Sequence, residues 1–494
     1  MKEFSTALVS VFNKNNLDKI VKLLAKNNVK IISTGGTAEF IRKLGVPVTE
    51  VEELTGFPSI FGGRVKTLQP QIMGGILNRR ENLDDQKEKK KYRVEDIDLV
   101  IVDLYPFEET VKAGASGEEI IEKIDIGGIS LLRAAAKNFN DVVVIPSKKE
   151  YQTLLEILER GNETSLDERK ALAGKAFEVT SNYDTAIRGY FQGVPLRYGE
   201  NPHQNAMFIG DLSESFEQLH GKELSYNNLI DTEAAIATVY DFKKPAFAII
   251  KHMNACGLAV REEGELLEAY KAAYAADPVS AFGGILASNR TITEDIAKLI
   301  KEQKLFVEVI IAPDFEKEAL EILMTKKDCR ILKWKNPALP EKQIRTNFTG
   351  LLMQDRDTHV EAEADLKPVT KRMPTEEEKA DLLIAAIATK HLKSNSVALV
   401  KGGTLLSMGC GQTSRIDALK QAIEKAARFG FSLEGSVLSS EAFFPFPDCV
   451  ELAGENGVTA IIQPGGSKND QASIDMADKY NMSMVMTSFR HFKH

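Results

Sequence analysis

The sequence predicts an α/β protein: a mostly parallel sheet with helices on both faces, followed by two further α/β units. Three observations carry that expectation. Short apolar runs alternate with amphipathic segments through the first 147 residues, the pattern of a parallel sheet wound with helices. At residues 194–204 a stretch rich in Pro, Gly and Asn, "VPLRYGENPHQ", interrupts that pattern. Beyond it, two loosely similar stretches each place polar and Gly-rich residues after an apolar run.

The first elements follow from their spacing. "TALVSVF" (6–12) is strand-like, and "LDKIVKLLAKNN" sets Leu17, Ile20, Val21, Leu23 and Leu24 at helical intervals. "KIIST" (30–34) returns to a strand, "AEFIRKLG" resumes a helix that stops at a Gly, and "IDLVIVDLYPF" (97–107) is a buried strand ending at Pro106. After "VVVIPS" (142–147) come two helical segments, "KEYQTLLEILERG" and "LDERKALAGKAFEVTSNYDTAIRGYFQG". The charged "RRENLDDQKEKKKYR" is a solvated loop or helix face.

The main boundary falls just before residue 194, and a second lies near "EAEADLKPVTKRMPTEEE". The expected units are 1–193, 194–364 and 365–494. The last two resemble each other. "PAFAIIKHMNACGLAV" and "DPVSAFGGILAS" in one have counterparts in "NSVALVKGGTLLSMGCGQTSR", "SSEAFFPFPD" and "GVTAIIQPGG" in the other. An internal duplication is the expectation.

With 43% hydrophobic and 27% charged residues and a net charge of −8, the chain gives no reason to expect nucleic acid as its main partner. Small anionic substrates stay open. No run approaches a membrane span and no leader-like segment opens the chain, which points to the cytoplasm. Cys256, Cys329, Cys410 and Cys449 are far apart and form no C-x-x-C pair, as reduced intracellular thiols would be.

Several stretches carry candidate chemistry. Thr34-Gly35-Gly36-Thr37 joins a strand to a helix, where free N–H groups favour phosphate. In "GGRVKTLQP", Arg64 and Lys66 alternate with Val65, so an extended chain would point both cations one way. The alternative is an exposed basic strand. "IDIGGISLLRAAAKN" sets Asp125 before a Gly pair and Arg133 and Lys137 on one helix face. Asp125 and Lys137 are roughly 18 Å apart along a straight helix, so both reach one ligand only if the segment bends.

"IIKHMNACG" (249–257) leaves four readings open: a metal ligand set, a thiol nucleophile, an amine–imidazole pair, or a polar strand end. A zinc deaminase needs H-x-E and P-C-x-x-C, which are missing here. A Cys256 nucleophile would need a partner base. Lys251 and His252 share a substrate only if the strand ends there, and "NACG" is expected to supply that ending.

Taken together and in order, "STGGT", "TGFPSIFGGRVKTLQP", "LYPF", "IDIGGISLLRAAAKN", "LRYGENPHQ", "KHMNACG", "SNSVALV", "GCGQTSR", "EAFFPFPD" and "FRHFKH" resemble the bifunctional purine biosynthesis family. That family joins IMP cyclohydrolase to AICAR transformylase. The resemblance implies an N-terminal methylglyoxal-synthase-like domain and two cytidine-deaminase-like units. It also implies formyl transfer from 10-formyltetrahydrofolate, no catalytic metal, and a homodimer with the transformylase site at the subunit interface.

Carried over by motif, the IMP site would comprise Lys14, Thr34, Gly35, Gly36, Thr37, Arg64, Val65, Lys66, Thr67, Asp103, Asp125 and Ile126. Lys137 would transfer a proton, with Tyr105 nearby. The AICAR nucleotide would be held by Arg197, Tyr198, Lys251, His252, Gly283, Glu308, Asn395, Arg415, Phe443 and Arg490, and folate by Ile416, Asp448, Ser467 and Lys468. In this expectation His252 takes the proton of the amine, and Lys251 with Asn395 stabilises the oxyanion. Three departures from the family pattern stand out: Phe12 and Asn13 in the first loop, Asp103 where Asn is usual, and Ala255 where Pro is usual. The rival classes are a zinc-type deaminase, which an absence of stoichiometric zinc removes, and a non-catalytic nucleotide-binding regulator, which is decided against if His252→Ala collapses formyl transfer while nucleotide binding persists.

Overall fold

The computed structural model describes residues 2–335 and 338–494. The chain divides into two compact units, residues 1–193 and 194–494. The first contains five parallel strands: β1 (Thr6–Val11), β2 (Lys30–Ser33), β3 (Thr49–Glu50), β4 (Leu99–Asp103) and β5 (Val143–Ile145), in the order β3-β2-β1-β4-β5. Burial on both faces explains the near-continuous apolar runs of β1 and β4. Helix α1 (Leu17–Lys26) presses Leu17, Ile20, Val21 and Leu24 onto the sheet. That i, i+3, i+4, i+7 stripe makes the segment a helix in this context. Strand order reverses at β1, so a crevice opens beyond the carboxyl ends of β1 and β4. Helix α2 (Gly35–Lys43) follows β2, α3 (Gly127–Lys137) lies against β4 and β5, and the single long helix α4 (Leu166–Gln192) packs on α3.

The second unit is built on one twelve-stranded sheet. Its first half contains β6 (Phe216–His220), helix α5 (Tyr226–Tyr240), β7 (Ala246–Lys251), β8 (Asn254–Val260), α6 (Leu266–Ala276), β9 (Gly284–Ser288), β10 (Val307–Ala312) and β11 (Arg330–Trp334). An exposed hairpin follows, β12 (Lys342–Asn347) and β13 (Gly350–Asp355). The second half contains β14 (Lys367–Pro368), α7 (Glu376–His391), β15 (Val397–Lys401), β16 (Thr404–Gly409), α8 (Arg415–Arg428), β17 (Val437–Ser440), α9 (Asp448–Glu455), β18 (Ala460–Gln463) and β19 (Ser483–Met486).

The strand order is β6-β11-β10-β9-β7-β8-β16-β15-β17-β18-β19-β14, which reads as one pattern and its mirror. Pairing modes match term by term. The hairpins β7–β8 and β15–β16 are antiparallel, as are β7–β9 and β15–β17. The next two pairs outward are parallel in both halves, and the short outermost pair is antiparallel in both. Even the register slip recurs, at Ile249/Ile250 and at Leu399/Val400. The two halves thus repeat one topology, as the expected duplication requires, and join along an antiparallel seam where Ala259 faces Thr404. Among the described residues no helix is long and apolar enough to cross a membrane.

Candidate active sites

In the first unit the crevice is a cavity of about 730 Å³. Lys14, Asp103 and Tyr105 reach it from the ends of β1 and β4, Thr34, Gly36 and Thr37 from the start of α2, and Arg64, Lys66 and Thr67 from the loop before residue 70. Asp125 and Ile126 enter from the start of α3. Two further lining residues, Glu122 and Lys123, were not singled out in the sequence. Four cations (Lys14, Arg64, Lys66, Lys123) face three carboxylates (Asp103, Glu122, Asp125), an excess that suits an anionic ligand.

The segment 64–67 is not the extended strand its alternation suggested. Residues 61–63 make a tight turn with positive φ throughout (54°, 66° and 93°) and Arg64 takes right-handed helical angles, while Val65 pairs with Ile60 and stays out of the cavity lining. Four residues are too few for period-two spacing to define a strand. Arg64 and Lys66 nonetheless reach one cavity. Lys66 passes so close over Gly63, whose φ is +93°, that a Cβ there would lie 2.6 Å from its Cε. Its ammonium ends near Gly35, at the first turn of α2, where Thr34 provides no side-chain cap. Gly35 itself is not among the lining residues. Thr37 is turned inward: its hydroxyl bonds both the N–H and the carbonyl of Val11, at 3.3 and 3.0 Å. Arg64 is paired with Glu122.

Asp125 accepts the Gly128 N–H at 2.7 Å and so caps α3. Burial pushes its carboxyl up, against the pull of the Gly128 and Tyr105 amides, and the neighbouring Asp103 adds to the rise. Tyr105 is raised by burial and by Asp125. Lys123 lies over both Phe12 and Tyr105, 5.5 and 5.8 Å from the ring centroids. Phe12 thus serves as the wall of a cation–π slot. Asp103 is also pushed up by burial, and its Oδ2 accepts the Asn13 N–H at 2.9 Å. A carboxyl occupied by the protein's own amide in this way sits more easily beside a phosphorylated substrate than a free anion would. Lys14 donates to the carbonyls of Val11 and Phe12 at 3.0 and 2.9 Å.

Lys137 departs from expectation. Helix α3 runs unbroken from Gly127, so Lys137 sits ~15 Å along the axis from the cavity end, exposed and outside the cavity lining. The two glycines start the helix and do not bend it. Arg133 lies over the Phe177 ring at 5.7 Å.

In the second unit the sequence misplaced the turn after Lys251. His252 and Met253 make the turn, both left-handed with φ of 51° and 63°. "NACG" begins the return strand β8 instead of ending a strand. Ala255, Cys256 and Gly257 are buried in it. Ala255 faces Ile250, so the missing Pro bears on the strand and not on the turn. Gly257 is needed because α6 crosses directly above it: a Cβ would fall 2.0 Å from the Ala273 carbonyl oxygen. Burial raises the Cys256 thiol to about 12, which leaves it inert.

His252 is exposed at the hairpin tip. Lys251 donates to the carbonyls of Phe282 and Gly283 at 2.8 and 3.1 Å, leaving one of its three N–H donors free. Asn254 ties the tip to the second half: it donates to the His252 carbonyl at 2.8 Å and accepts the Lys393 N–H at 3.1 Å. Just beyond Lys393 lies Asn395, preceded by a cis peptide at Ser394. Its side chain donates to the carbonyls of Gln412 and Thr413 at 2.9 and 3.3 Å and accepts from Arg415 at 2.8 Å. Arg415 is buried on Glu441 at 2.7 Å and bonds Ser440 at 2.9 Å. In this state both residues are engaged within the protein.

Topology puts the remaining candidates along the same rim of the sheet. Gly283 precedes β9 and Glu308 opens β10, where it pairs with Arg330 at 2.7 Å. Arg415 and Ile416 start α8, Phe443 and Asp448 follow β17, Ser467 and Lys468 follow β18, and Arg490 follows β19. The loop with Arg197 and Tyr198 is anchored to the start of α5 through Asn227 and the Glu200 carbonyl, 3.1 Å apart. From β10 to β18 the rim spans seven strand spacings, roughly 34 Å. No cluster of three His, Cys, Asp or Glu side chains among the described residues is placed to hold a metal ion.

Two family models match the sequence: one described as AICARFT/IMPCHase bienzyme over residues 135–425, the other as MGS-like domain over residues 16–130. The chain is 53% identical over 507 residues to the bifunctional purine biosynthesis protein PurH of Bacteroides thetaiotaomicron, covering 100% of this chain and 99% of that one. The proteins of the same name from Thermoanaerobacter sp. and Rhodospirillum rubrum are each 45% identical over 511 and 521 residues. Those alignments cover 99% of this chain and 99% and 98% of theirs.

Proposed function

This chain belongs to the family of bifunctional purine biosynthesis enzymes that join AICAR formyltransferase to IMP cyclohydrolase, and from that premise we propose how its own side chains divide the work. The formyl donor is 10-formyltetrahydrofolate, and the formyl-AICAR made by the first reaction is the substrate of the second. We assign ring closure to residues 1–193, and formyl transfer to the two halves 194–364 and 365–494.

The observation that carries the transferase assignment is His252 at the tip of a hairpin, in a backbone conformation a side chain adopts at a cost. The AICAR amine is a weak nucleophile because its lone pair is conjugated into the ring. As it attacks the formyl carbon, His252 removes its proton. The free N–H of Lys251 stabilises the oxyanion, and the folate nitrogen leaves with a proton. Asn395 takes part by aiming Arg415 and gives up a carbonyl partner if it is to reach the oxyanion. Arg197, Tyr198, Gly283, Glu308, Phe443 and Arg490 hold the nucleotide in this reading, and Ile416, Asp448, Ser467 and Lys468 face the folate.

For ring closure, the first turn of α2 with Lys66, Arg64 and Lys14 receives the phosphate. Asp125 and Tyr105 lie where the carboxamide nitrogen meets the formyl carbon and water departs. The chemistry is mainly orientation and proton movement. With Lys137 outside the cavity, Lys66, Tyr105 and Asp125 are the groups we assign to the proton transfers.

We read the working form as a cytoplasmic homodimer. The transformylase candidates are spread over far more of one rim than a single nucleotide spans, so a second copy would bring distant groups together. The β12–β13 hairpin supports this: Ile344, Phe348, Leu351, Leu352 and Met353 are all exposed, an apolar arm of the kind that covers a partner. The deciding experiment supplies purified protein with AICAR and 10-formyltetrahydrofolate and follows tetrahydrofolate and IMP together. His252→Ala should lower tetrahydrofolate release at least about 100-fold while AICAR still binds. Transfer near the wild-type rate in that variant would overturn the assignment of the base.

A further inference from the structure

Two carboxylates outside the sites above occupy the same place in the two halves. Asp231 is the sixth residue of α5 and Asp381 the sixth residue of α7. Asp381 accepts the N–H groups of Gly402 and Gly403, at 2.7 Å each. Asp231 accepts the Met253 N–H at 2.8 Å, with the His252 amide as a second backbone donor. The turns they cap are counterparts: φ is 51° and 63° at His252 and Met253, 55° and 70° at Gly402 and Gly403. A two-residue turn of this hand leaves both central amides out of the strand ladder, and a pair of adjacent N–H groups is a ready anion site. The lysines before the turns also correspond. Lys251 donates to the carbonyls of Phe282 and Gly283, and Lys401 to that of Glu434 at 2.5 Å.

One difference separates the copies. Glycine takes the left-handed conformation freely, whereas His and Met resist it. In the second half the carboxylate therefore only finishes a turn. In the first half it must hold two side-chain-bearing residues against their preference, and one of them is His252. Burial pushes the Asp231 carboxyl up, and the amides of Met253 and His252, with the charges of His252 and Lys251, pull against that rise.

We propose that Asp231 is a positioning residue for formyl transfer: by taking the two turn amides it fixes His252 in the left-handed conformation that presents the imidazole to the amine. The inference rests on His252 being the base. It predicts that Asp231 acts through kcat, and that Asp381, with the same contacts and no imidazole above it, does not.

The test uses the full-length enzyme and three readouts on each variant: kcat and KM of transfer, the cyclohydrolase rate, and thermal unfolding. Asp231→Ala should lower transfer kcat by about 100-fold, the scale of an ångström-sized misplacement, with KM for 10-formyltetrahydrofolate and the cyclohydrolase rate unchanged. Asp231→Asn keeps one acceptor and should lose only about tenfold. Asp381→Ala should shift the unfolding temperature at least as far and leave transfer kcat within about threefold of wild type.

In a His252→Ala background, adding Asp231→Ala should cost nothing further, since the group it positions is gone. If His252→Ala keeps wild-type transfer, the base assignment fails. If it collapses transfer while Asp231→Ala does not, the positioning role alone fails. Equal kcat losses in Asp231→Ala and Asp381→Ala, or a parallel loss of cyclohydrolase, would reduce Asp231 to a structural cap and overturn the proposal. Should Asp231→Ala not fold, Asp231→Asn decides: a tenfold kcat loss with intact cyclohydrolase upholds the proposal, and a change under twofold overturns it.

Discussion

His252 and Gly402 are the same residue of a duplicated hairpin, each the first of a left-handed pair, with φ of 51° and 55°. One half has the residue that suits this backbone and the other has one that does not. His252→Gly separates strain from chemistry. Relieving the turn should leave stability unchanged or raise it by about 1 kcal/mol. Loss of the base should cost transfer at least about 100-fold. Calorimetry and tetrahydrofolate release on the same preparation check both. A stability loss with transfer retained would contradict the account.

Gly63 gives Lys66 its path to the first turn of α2, the end of the cavity we assign to the phosphate. Gly63→Ala places a methyl group 2.6 Å from Lys66 Cε, on a backbone with φ of +93°. IMP affinity should fall about tenfold through the displaced ammonium, while formyl transfer stays at its wild-type rate. Titration calorimetry with IMP reads the first effect and an assay of tetrahydrofolate release the second.

The exposed β12–β13 arm predicts dependence on a second copy. Phe348 at the hairpin tip and Leu351 beside it are fully and two-thirds exposed. Phe348→Lys with Leu351→Lys should shift the protein toward monomer in sedimentation velocity and lower transfer specific activity at low protein concentration. A monomeric wild-type protein with full transfer activity would remove the dimer reading.

His491 links stability to pH. Burial opposes its charge, but hydrogen bonds to Asp357 at 2.5 Å and Glu361 at 2.9 Å outweigh that and push the imidazole up to about 9. Because the folded value exceeds the unfolded value of about 6.5, the contribution is complete below that pH and is lost as pH rises through about 9. Between pH 6.5 and 9.5 stability should drop by on the order of 2 kcal/mol, discounted for the half-exposed Asp357. The drop should be absent in His491→Gln. Chemical denaturation at both pH values measures it.

The sequence made the helix–strand alternation of the first unit legible because parallel strands buried on both faces and amphipathic helices have different periods. It made the repeat of the second unit legible from Gly-rich ends alone. It hid the turn at His252–Met253, since a turn of that hand normally advertises itself with Gly or Asn. Gly402–Gly403 does so in the other copy, and aligning the two lysines would have revealed it. Arg64 to Thr67 misled because alternation over four residues does not define a strand. The distance between Asp125 and Lys137 was legible as roughly 18 Å along a straight helix, but not that the Gly pair would start the helix without bending it. Asp231 gave no local signal: its partner amides lie more than twenty residues away, and nothing in "NNLIDTEAA" marks an acidic helix residue as a turn cap.

The seam at Ala259 and Thr404 runs antiparallel, so each hairpin points its tip at the loops of the opposite half. The first tip reaches Lys393, two residues before Asn395, through Asn254, while Lys401 and Gly402 point toward the far rim. Two halves of matching topology thus act as a lender and a borrower. On the assignment proposed above neither half is a workplace by itself, so a chain cut between them leaves no transferase in either piece.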